Sequence, residues 1–165
     1  MSPRAAWRLE TLGFRDVYDF VPGKEAWFAE GLPSEGTDAS VPRIGDVAER
    51  DVPVCRLDES VGDVRPRVEQ SAWDRCMVVN DEGIVLGMVT RRGLREDSAT
   101  SVEDAMREGP STFRPNVSVQ EMLGYMKRHD MKAAPVTSHL GKLVGVVKRD
   151  RLENIARQNK GGGKQ

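Results

Sequence analysis

Cysteine is nearly missing from this chain, with only Cys55 and Cys76 among 165 residues. Two thiols are too few for a disulfide framework and point to a reducing compartment, the cytoplasm. Neither stands in a Cys-x-x-Cys pair or a histidine-rich cluster, so no metal centre is expected. Histidine is equally scarce. His129 and His139 have no Asp or Cys partner at triad or ligand spacing and read as surface residues. Acidic and basic residues nearly cancel, leaving a net charge of −1, which argues against a nucleic-acid binder relying on bulk phosphate attraction. No apolar run approaches the roughly 18–20 residues that cross a membrane. The first eight residues carry charge with no apolar stretch after them, so no secretion signal is expected. Aromatics make up 5% of the chain, and Trp27 and Trp73 read as packing or interface residues rather than stacking platforms.

What the chain does have is an internal repeat. Residues 43–94 and 101–152 follow one pattern, offset by 58 positions without a gap, with ten of 52 aligned pairs identical. In both copies a turn closes on glycine (Gly83, Gly141). A short apolar strand follows, carrying a second glycine (Gly87, Gly145), and ends in a basic turn before Leu94 or Leu152. Two halves this similar pack together, and the groove between them is the natural ligand site.

Each copy opens with a helical lead-in, Ile44–Ala48 or Val102–Met106, with Asp46 and Asp104 in register. A short extended segment is expected at Val54–Leu57 and Thr112–Pro115. Ser60 and Ser118 offer N-cap chemistry to the helices that follow, whose apolar stripes are Val61, Val64, Val68 and Val119, Met122, Met126. Hairpins then pair Cys76–Val79 with Ile84–Val89 and Ala134–Thr137 with Leu143–Val147. The closing helix is brief in the first copy (Leu94–Asp97) and longer in the second (Leu152–Asn159). Pro66 falls inside the first repeat's helix and predicts an irregular, shortened or kinked element.

Ahead of the repeats, residues 4–12 have helical spacing up to Gly13, Val17–Phe20 reads as a strand, Pro22–Gly23 as a turn and Glu25–Glu30 as a helix. The stretch 31–40 is a linker by composition. The division expected is therefore 1–40, a first repeat at 41–98, a second at 99–158, and a disordered tail at 159–165.

The order helix–strand–helix–strand–strand–helix, taken twice over about residues 41–158, resembles a tandem pair of cystathionine-β-synthase (CBS) domains. The resemblance implies an α+β fold of two βαββα-type repeats related by a pseudo-twofold axis, a homodimer, and an adenosine-containing ligand between the repeats. Residues 4–36 separately resemble the end of a rhodanese domain, through Ala5-Ala6-Trp7-Arg8-Leu9, Gly13-Phe14-Arg15-Asp16-Val17-Tyr18 and Trp27 to Gly36. A rhodanese holds its sulfur on a cysteine in a loop before that first helix. The chain offers no such cysteine, so a sulfurtransferase would lack its nucleophile. A structural appendage is the expectation.

Nucleotide-binding CBS domains carry Thr or Ser, two variable residues and Asp in the turn after the hairpin, where they hold ribose hydroxyls. The same four residues make a capping box, and phosphates lie near such helix starts. The first copy reads Thr90-Arg91-Arg92-Gly93, keeping the hydroxyl and losing the acid. The second reads Lys148-Arg149-Asp150-Arg151, losing both, with Asp150 one position early. One reading is that Thr90, Arg91 and Arg92 bind the polar end of an anionic ligand, with Lys148, Arg149 and Asp150 at a second, poorer site. Cys76, Met77, Ala134 and Pro135, with Val54 and Thr112, would then line a base-sized pocket. The other reading makes the basic residues solvated surface charges and Thr90 an N-cap. The function expected is a non-catalytic regulatory module without a cofactor, responding to AMP, ADP, ATP or S-adenosylmethionine. The alternative is a structural dimerisation or protein-interaction module with no small-molecule ligand.

Overall fold

The computed structural model, which describes residues 3–18, 21, 23–30, 32–33, 35–36 and 40–161, turns the 58-residue offset into geometry. In chain order the elements are α1 (Pro3–Thr11), α2 (Gly23–Ala29), α3 (Ile44–Val47), β1 (Val54–Cys55), α4 (Val61–Glu69), β2 (Cys76–Val79) and β3 (Val85–Val89). A 3₁₀ turn at Gly93–Arg95 leads to α5 (Val102–Ala105), β4 (Arg107–Glu108), α6 (Val119–Arg128), β5 (Ala133–Thr137), β6 (Leu143–Lys148) and α7 (Arg149–Gly161). The result is the α+β architecture that the CBS resemblance implies.

The first sheet runs β1-β2-β3-β4, with β1 parallel to β2 and the other pairs antiparallel. The second sheet has the same plan in reduced form. β5 and β6 form its hairpin, and single bridges at Phe113↔Val136 (parallel) and Glu49↔Val146 (antiparallel) stand where β1 and β4 stand in the first. The extended segment expected at Thr112–Pro115 thus shrinks to one bridge at Phe113.

The edge positions are filled reciprocally. β4 belongs to the second copy's lead-in yet pairs with β3 of the first, while Glu49, from the first copy's lead-in, pairs with β6 of the second. The helical lead-ins cross in the same way. The Ile44 N–H donates to the Val117 carbonyl at 2.9 Å, and the matched Val102 N–H to the Glu59 carbonyl at 2.9 Å. Ile44 is buried among Val119, Met122, Met126, Ala134 and Leu152, and Val102 among Cys55, Val64, Val68, Cys76 and Val89. Burying one such aliphatic side chain is worth about 1.5–3 kcal/mol, so each half is held in part by a piece of the other.

The crossing explains the glycine shared by the two strands. A Cβ on Gly145 would lie 2.6 Å from the Glu49 carbonyl oxygen, and one on Gly87 would lie 2.5 Å from Met106 Sδ and 3.1 Å from the Arg107 carbonyl oxygen. Only a residue without a side chain lets the lead-in strand lie so close. The hairpins meet at Ile84↔Lys142, flanked by matched bonds from Val85 N–H to Gly141 O (3.1 Å) and Leu143 N–H to Gly83 O (2.9 Å). Those pairs are offset mates, so the pseudo-twofold axis passes there. A third apolar cluster, Val52, Trp73, Met77 and Val146, joins residues from both repeats.

Both caps form as the sequence predicts. The Asp63 N–H donates to Ser60 Oγ at 3.2 Å and the Glu121 N–H to Ser118 Oγ at 3.2 Å; each such cap is worth about 1 kcal/mol. Pro66 does not break its helix: α4 runs nine residues, against ten for α6. Its ring lies on the exposed face, while Val61, Val64 and Val68 on the other face are buried. The full capping box of Ser60 and Asp63 holds the first turn. At the N-terminus, α1 ends at Gly13 with φ 93°, as its spacing predicts. Val17 and Tyr18 form no strand; the rest of that expected strand, Asp19 and Phe20, lies outside the described residues, as do Pro22 and parts of the linker. The closing helix of the second copy starts earlier and runs further than expected, to Gly161; the remaining tail, 162–165, lies outside the described residues.

Candidate functional site

The turn after β3 does not gather its residues in one place. Thr90 and Arg92 line a cavity of about 390 Å³ with Gly93, Glu96 and residues Asp104 to Arg107 of the second lead-in. Arg91 points to a different cleft, of about 730 Å³, which it shares with Arg65, Trp73, Asp74 and Arg95 among others. The missing acid has a structural cause. A Cβ on Gly93 would overlap the Ala105 carbonyl oxygen and come within 3.1 Å of Val89 Cγ1. The lead-in from the other half occupies the space where an Asp side chain would begin.

The turn after β6 is filled differently. Lys148, Arg149 and Asp150 line a cleft of about 590 Å³ whose other wall is Ala72 to Arg75 of the first repeat, with Lys132 and Ala133 between them. This cleft straddles the two halves. Lys148 Nζ lies 3.8 Å from the ring centroid of Trp73, a cation–π contact, and 3.0 Å from Glu49 Oε2. Arg151, in the position of the family's acid, reaches Glu49 Oε1 at 3.6 Å. Arg149 pairs with Asp130 at 3.1 Å, and its own N–H donates to the Lys132 carbonyl at 2.9 Å. Asp150 is exposed and accepts from the Arg151 N–H at 2.8 Å.

In the same cleft, Arg75 Nε donates to Asp74 Oδ1 at 2.7 Å. That hydrogen bond holds the Asp74 carboxyl below its ordinary range against a smaller opposing effect of burial, with Arg75 and Arg91 adding Coulomb attraction. Asp74 is therefore an anion on the wall shared by the two clefts, offsetting part of their positive charge.

Cys76, Met77, Ala134 and Pro135, expected around a base, are buried in the strands, while Val54 and Thr112 are exposed. None of the six lines these three cavities. Cys55 and Cys76, whose proximity the sequence leaves open, approach each other: both Sγ atoms lie near the Met77 carbonyl, at 3.7 and 3.9 Å. A hydrogen bond with Cys55, then burial, pushes the Cys76 thiol far above its ordinary value. Such a thiol is a poor nucleophile. His129 packs against Tyr125, with ring centroids 4.3 Å apart. Among the described residues no group of three or more His, Cys, Asp or Glu side chains could hold a metal ion, and no helix is long and apolar enough to cross a membrane.

Sequence reasoning misses Trp73, Arg75, Lys132 and Glu49 at this site. One signal was present. Across the offset, Thr90 becomes Lys148 and Gly93 becomes Arg151, while Arg107 has Glu49 as its mate. A turn that gains two cations faces a lead-in that gains an acid, which is the signature of an internal ion pair.

The CBS-domain family model matches residues 44–99 and 102–155. Over 113 residues the chain is 32% identical to arabinose 5-phosphate isomerase KpsF of Escherichia coli, a match covering 64% of this chain and 35% of that enzyme. The chain thus spans about a third of that relative's length. Among solved structures, CBSX2, a CBS-pair protein from Arabidopsis thaliana, superposes with a TM-score of 0.66 at 18% identity, covering 75% of this chain and 100% of that one. CBSX2 in complex with AMP superposes with a TM-score of 0.65 at 20% identity, covering 72% and 98%. The cytosolic domain of the Mg2+ channel MgtE in complex with ATP gives 0.64 at 22% identity, covering 69% and 48%. With both repeats matched and their pseudo-twofold packing in place, this chain belongs to the CBS-domain family.

Proposed function

We propose that this CBS pair is a non-catalytic regulatory module that binds an anionic ligand of nucleotide size in the cleft beside Lys148. The observation that carries the reading is the cleft itself. It measures about 590 Å³, within the roughly 300–1,000 Å³ of small-molecule sites, is walled by both repeats, and presents Arg75, Lys132, Lys148 and Arg149. A ligand there touches the 72–75 loop of one half and the Lys148 turn of the other, and so favours whichever arrangement of the halves it fits best. The complexes of CBSX2 with AMP and of the MgtE domain with ATP support an adenine nucleotide as the first class to try; S-adenosylmethionine, a net cation with the same adenosine, is the contrast that tests the need for an anion. The module acts in the cytoplasm as a homodimer and takes no cofactor. Residues 4–36 serve it as a rhodanese-like structural appendage, and Cys55 and Cys76, buried in the first repeat, carry no sulfur for it.

Calorimetry with AMP, ADP, ATP, S-adenosylmethionine and inorganic phosphate tests the reading. Charge-assisted hydrogen bonds are worth about 1.5–3 kcal/mol each, so Lys132→Ala/Arg149→Ala weakens binding at least about tenfold. A double variant that binds every ligand as well as the parent removes this site.

A second reading has its own support. Both ligand turns are filled from within, by the Ala105 carbonyl at Gly93 and by Glu49 at Lys148 and Arg151. A pair built this way serves as a dimerisation or protein-interaction module with no small molecule, and a flat calorimetric panel selects it.

A further inference from the structure

We infer that Glu49 is a built-in competitor for the Lys148 turn, and that the ligand able to displace it is a phosphoanion carrying several negative charges, such as a di- or triphosphate chain. The inference rests on the regulatory reading above and names the ligand class of that cleft. Glu49 bridges the two cations that replace the family's hydroxyl and acid, Lys148 at 3.0 Å and Arg151 at 3.6 Å. It is not a loose surface partner. Its N–H donates to the Val146 carbonyl and its carbonyl accepts from the Val146 N–H, each at 2.9 Å, so the backbone delivers the carboxylate to the turn. The Glu49 side chain retains 18% of its exposure and that of Lys148 27%.

A tethered group competes at a high effective concentration. A ligand offering one carboxylate trades like for like with Glu49 and gains nothing. An uncharged nucleoside offers Lys148 no replacement at all. A phosphate chain engages Lys148 in place of the Glu49 carboxylate and extends towards Arg149 and Lys132, which line the same cleft, while Arg151 stays beside it as the second cation that Glu49 can keep. In the first half the matched position is Arg107, a cation, which lines the cavity of Thr90 and Arg92 together with Glu96 and Asp104, so the lead-in there does not deliver a carboxylate from the position of Glu49.

The test is calorimetry on the full chain and on its Glu49→Gln variant with ATP, ADP, inorganic pyrophosphate and adenosine. Gln is isosteric, and the paired backbone at Glu49 does not depend on the charge, so the variant keeps the fold; its thermal midpoint is taken first and titrations run below it. The expected result is that ATP, ADP and pyrophosphate bind the variant on the order of 5–150-fold more tightly, the usual span of a coupling between two ligands, while adenosine is unchanged. A pyrophosphate gain equal to that of ATP places the recognition in the phosphate chain; a gain for the nucleotides alone adds recognition of the nucleoside. Equal affinity of both proteins for the phosphoanions overturns the competitor and leaves the regulatory reading standing. Adenosine binding the parent as tightly as ATP overturns the ligand class. No binding by either protein overturns the inference and the regulatory reading together.

Discussion

Replacing Gly145 by alanine tests the exchange of lead-ins at its tightest point. The new Cβ would lie 2.6 Å from the Glu49 carbonyl oxygen and 3.1 Å from the Ala48 Cβ. The nearest obstacle is backbone, so no side-chain rotation relieves it. The lead-in must move off β6, and the two 2.9 Å bonds between Glu49 and Val146 go with it. Overpacking costs about 1–3 kcal/mol and each lost hydrogen bond about 0.5–1.5 kcal/mol, together about 2–6 kcal/mol out of a total stability on the order of 5–15 kcal/mol. Equilibrium urea unfolding reads this as a midpoint lower by about 1 M or more. Gly87→Ala is the graded comparison. Its closest obstacle is Met106 Sδ at 2.5 Å, the end of a flexible side chain, although the Arg107 carbonyl oxygen at 3.1 Å remains, so a smaller loss is expected. Gly124→Ala is the control: in α6, with nothing within 4 Å of its Cβ position, it stabilises by about 0.5–1 kcal/mol. A Gly145→Ala midpoint equal to the parent's, or a loss smaller than that of Gly87→Ala, would refute the argument that the lead-in backbone is fixed against β6.

Two further outcomes follow from buried or paired groups. Burial raises the Glu59 carboxyl, but its bonds from the Arg67 guanidinium and from the Arg56 N–H at 2.7 Å outweigh burial and hold it below its ordinary value. A depressed folded-state value stabilises above the unfolded-state pKa of about 4.3 and is lost as pH falls through the folded one. Urea unfolding between pH 7 and pH 3 therefore has an acid slope that Glu59→Gln reduces by about 0.2–1 kcal/mol, the range for a partly exposed pair; an unchanged slope counts against the pairing. Cys55 and Cys76 are 1% and 0% exposed, and Cys76 is further protected by its raised pKa. Iodoacetamide at mildly alkaline pH leaves both unmodified in the native protein and modifies both in strong denaturant, as read by intact mass. Stoichiometric native labelling would show that β1 opens.

The features legible in the sequence were local ones. Ser60 and Ser118 announce their helices because a cap is a contact over three residues, and Gly83 and Gly141 announce their turns because both need φ of 80°. Pro66 announces a lost backbone donor inside α4, which is one residue shorter than α6, but the buried stripe of Val61, Val64 and Val68 on the opposite face keeps the helix in place. The exchange itself was not legible. The apolar character of Ile44 and Val102 says that each is buried and is silent about which half buries it. The site divided on the same line. Thr90, Arg91 and Arg92 are neighbours in sequence, yet successive residues of a turn point in different directions and here enter two cavities. Lys148 was visible as a misplaced cation, whereas its partner Glu49 lies 99 residues away and Trp73 arrives from the loop before β2.

The same exchange ties the cleft to the rest of the molecule. Glu49 follows α3, and α3 is committed on three sides. Ile44 is buried in the core of the second repeat. Gly45 lies against Pro115 and the Phe28 carbonyl so closely that a Cβ would come within 2.7 Å of the proline. Arg43 stands 4.6 Å over the Phe28 ring of α2. A lead-in held this way does not shift by small degrees, because close-packed contacts are made or lost rather than stretched. Displacing Glu49 from Lys148 therefore either leaves α3 where it is, with only a side chain swung aside, or disturbs a core residue of the second repeat and the packing of α2 at once. Only the second alternative carries a signal beyond the cleft. The element such a signal reaches first is α2, whose Phe28 lies against Arg43 and Gly45.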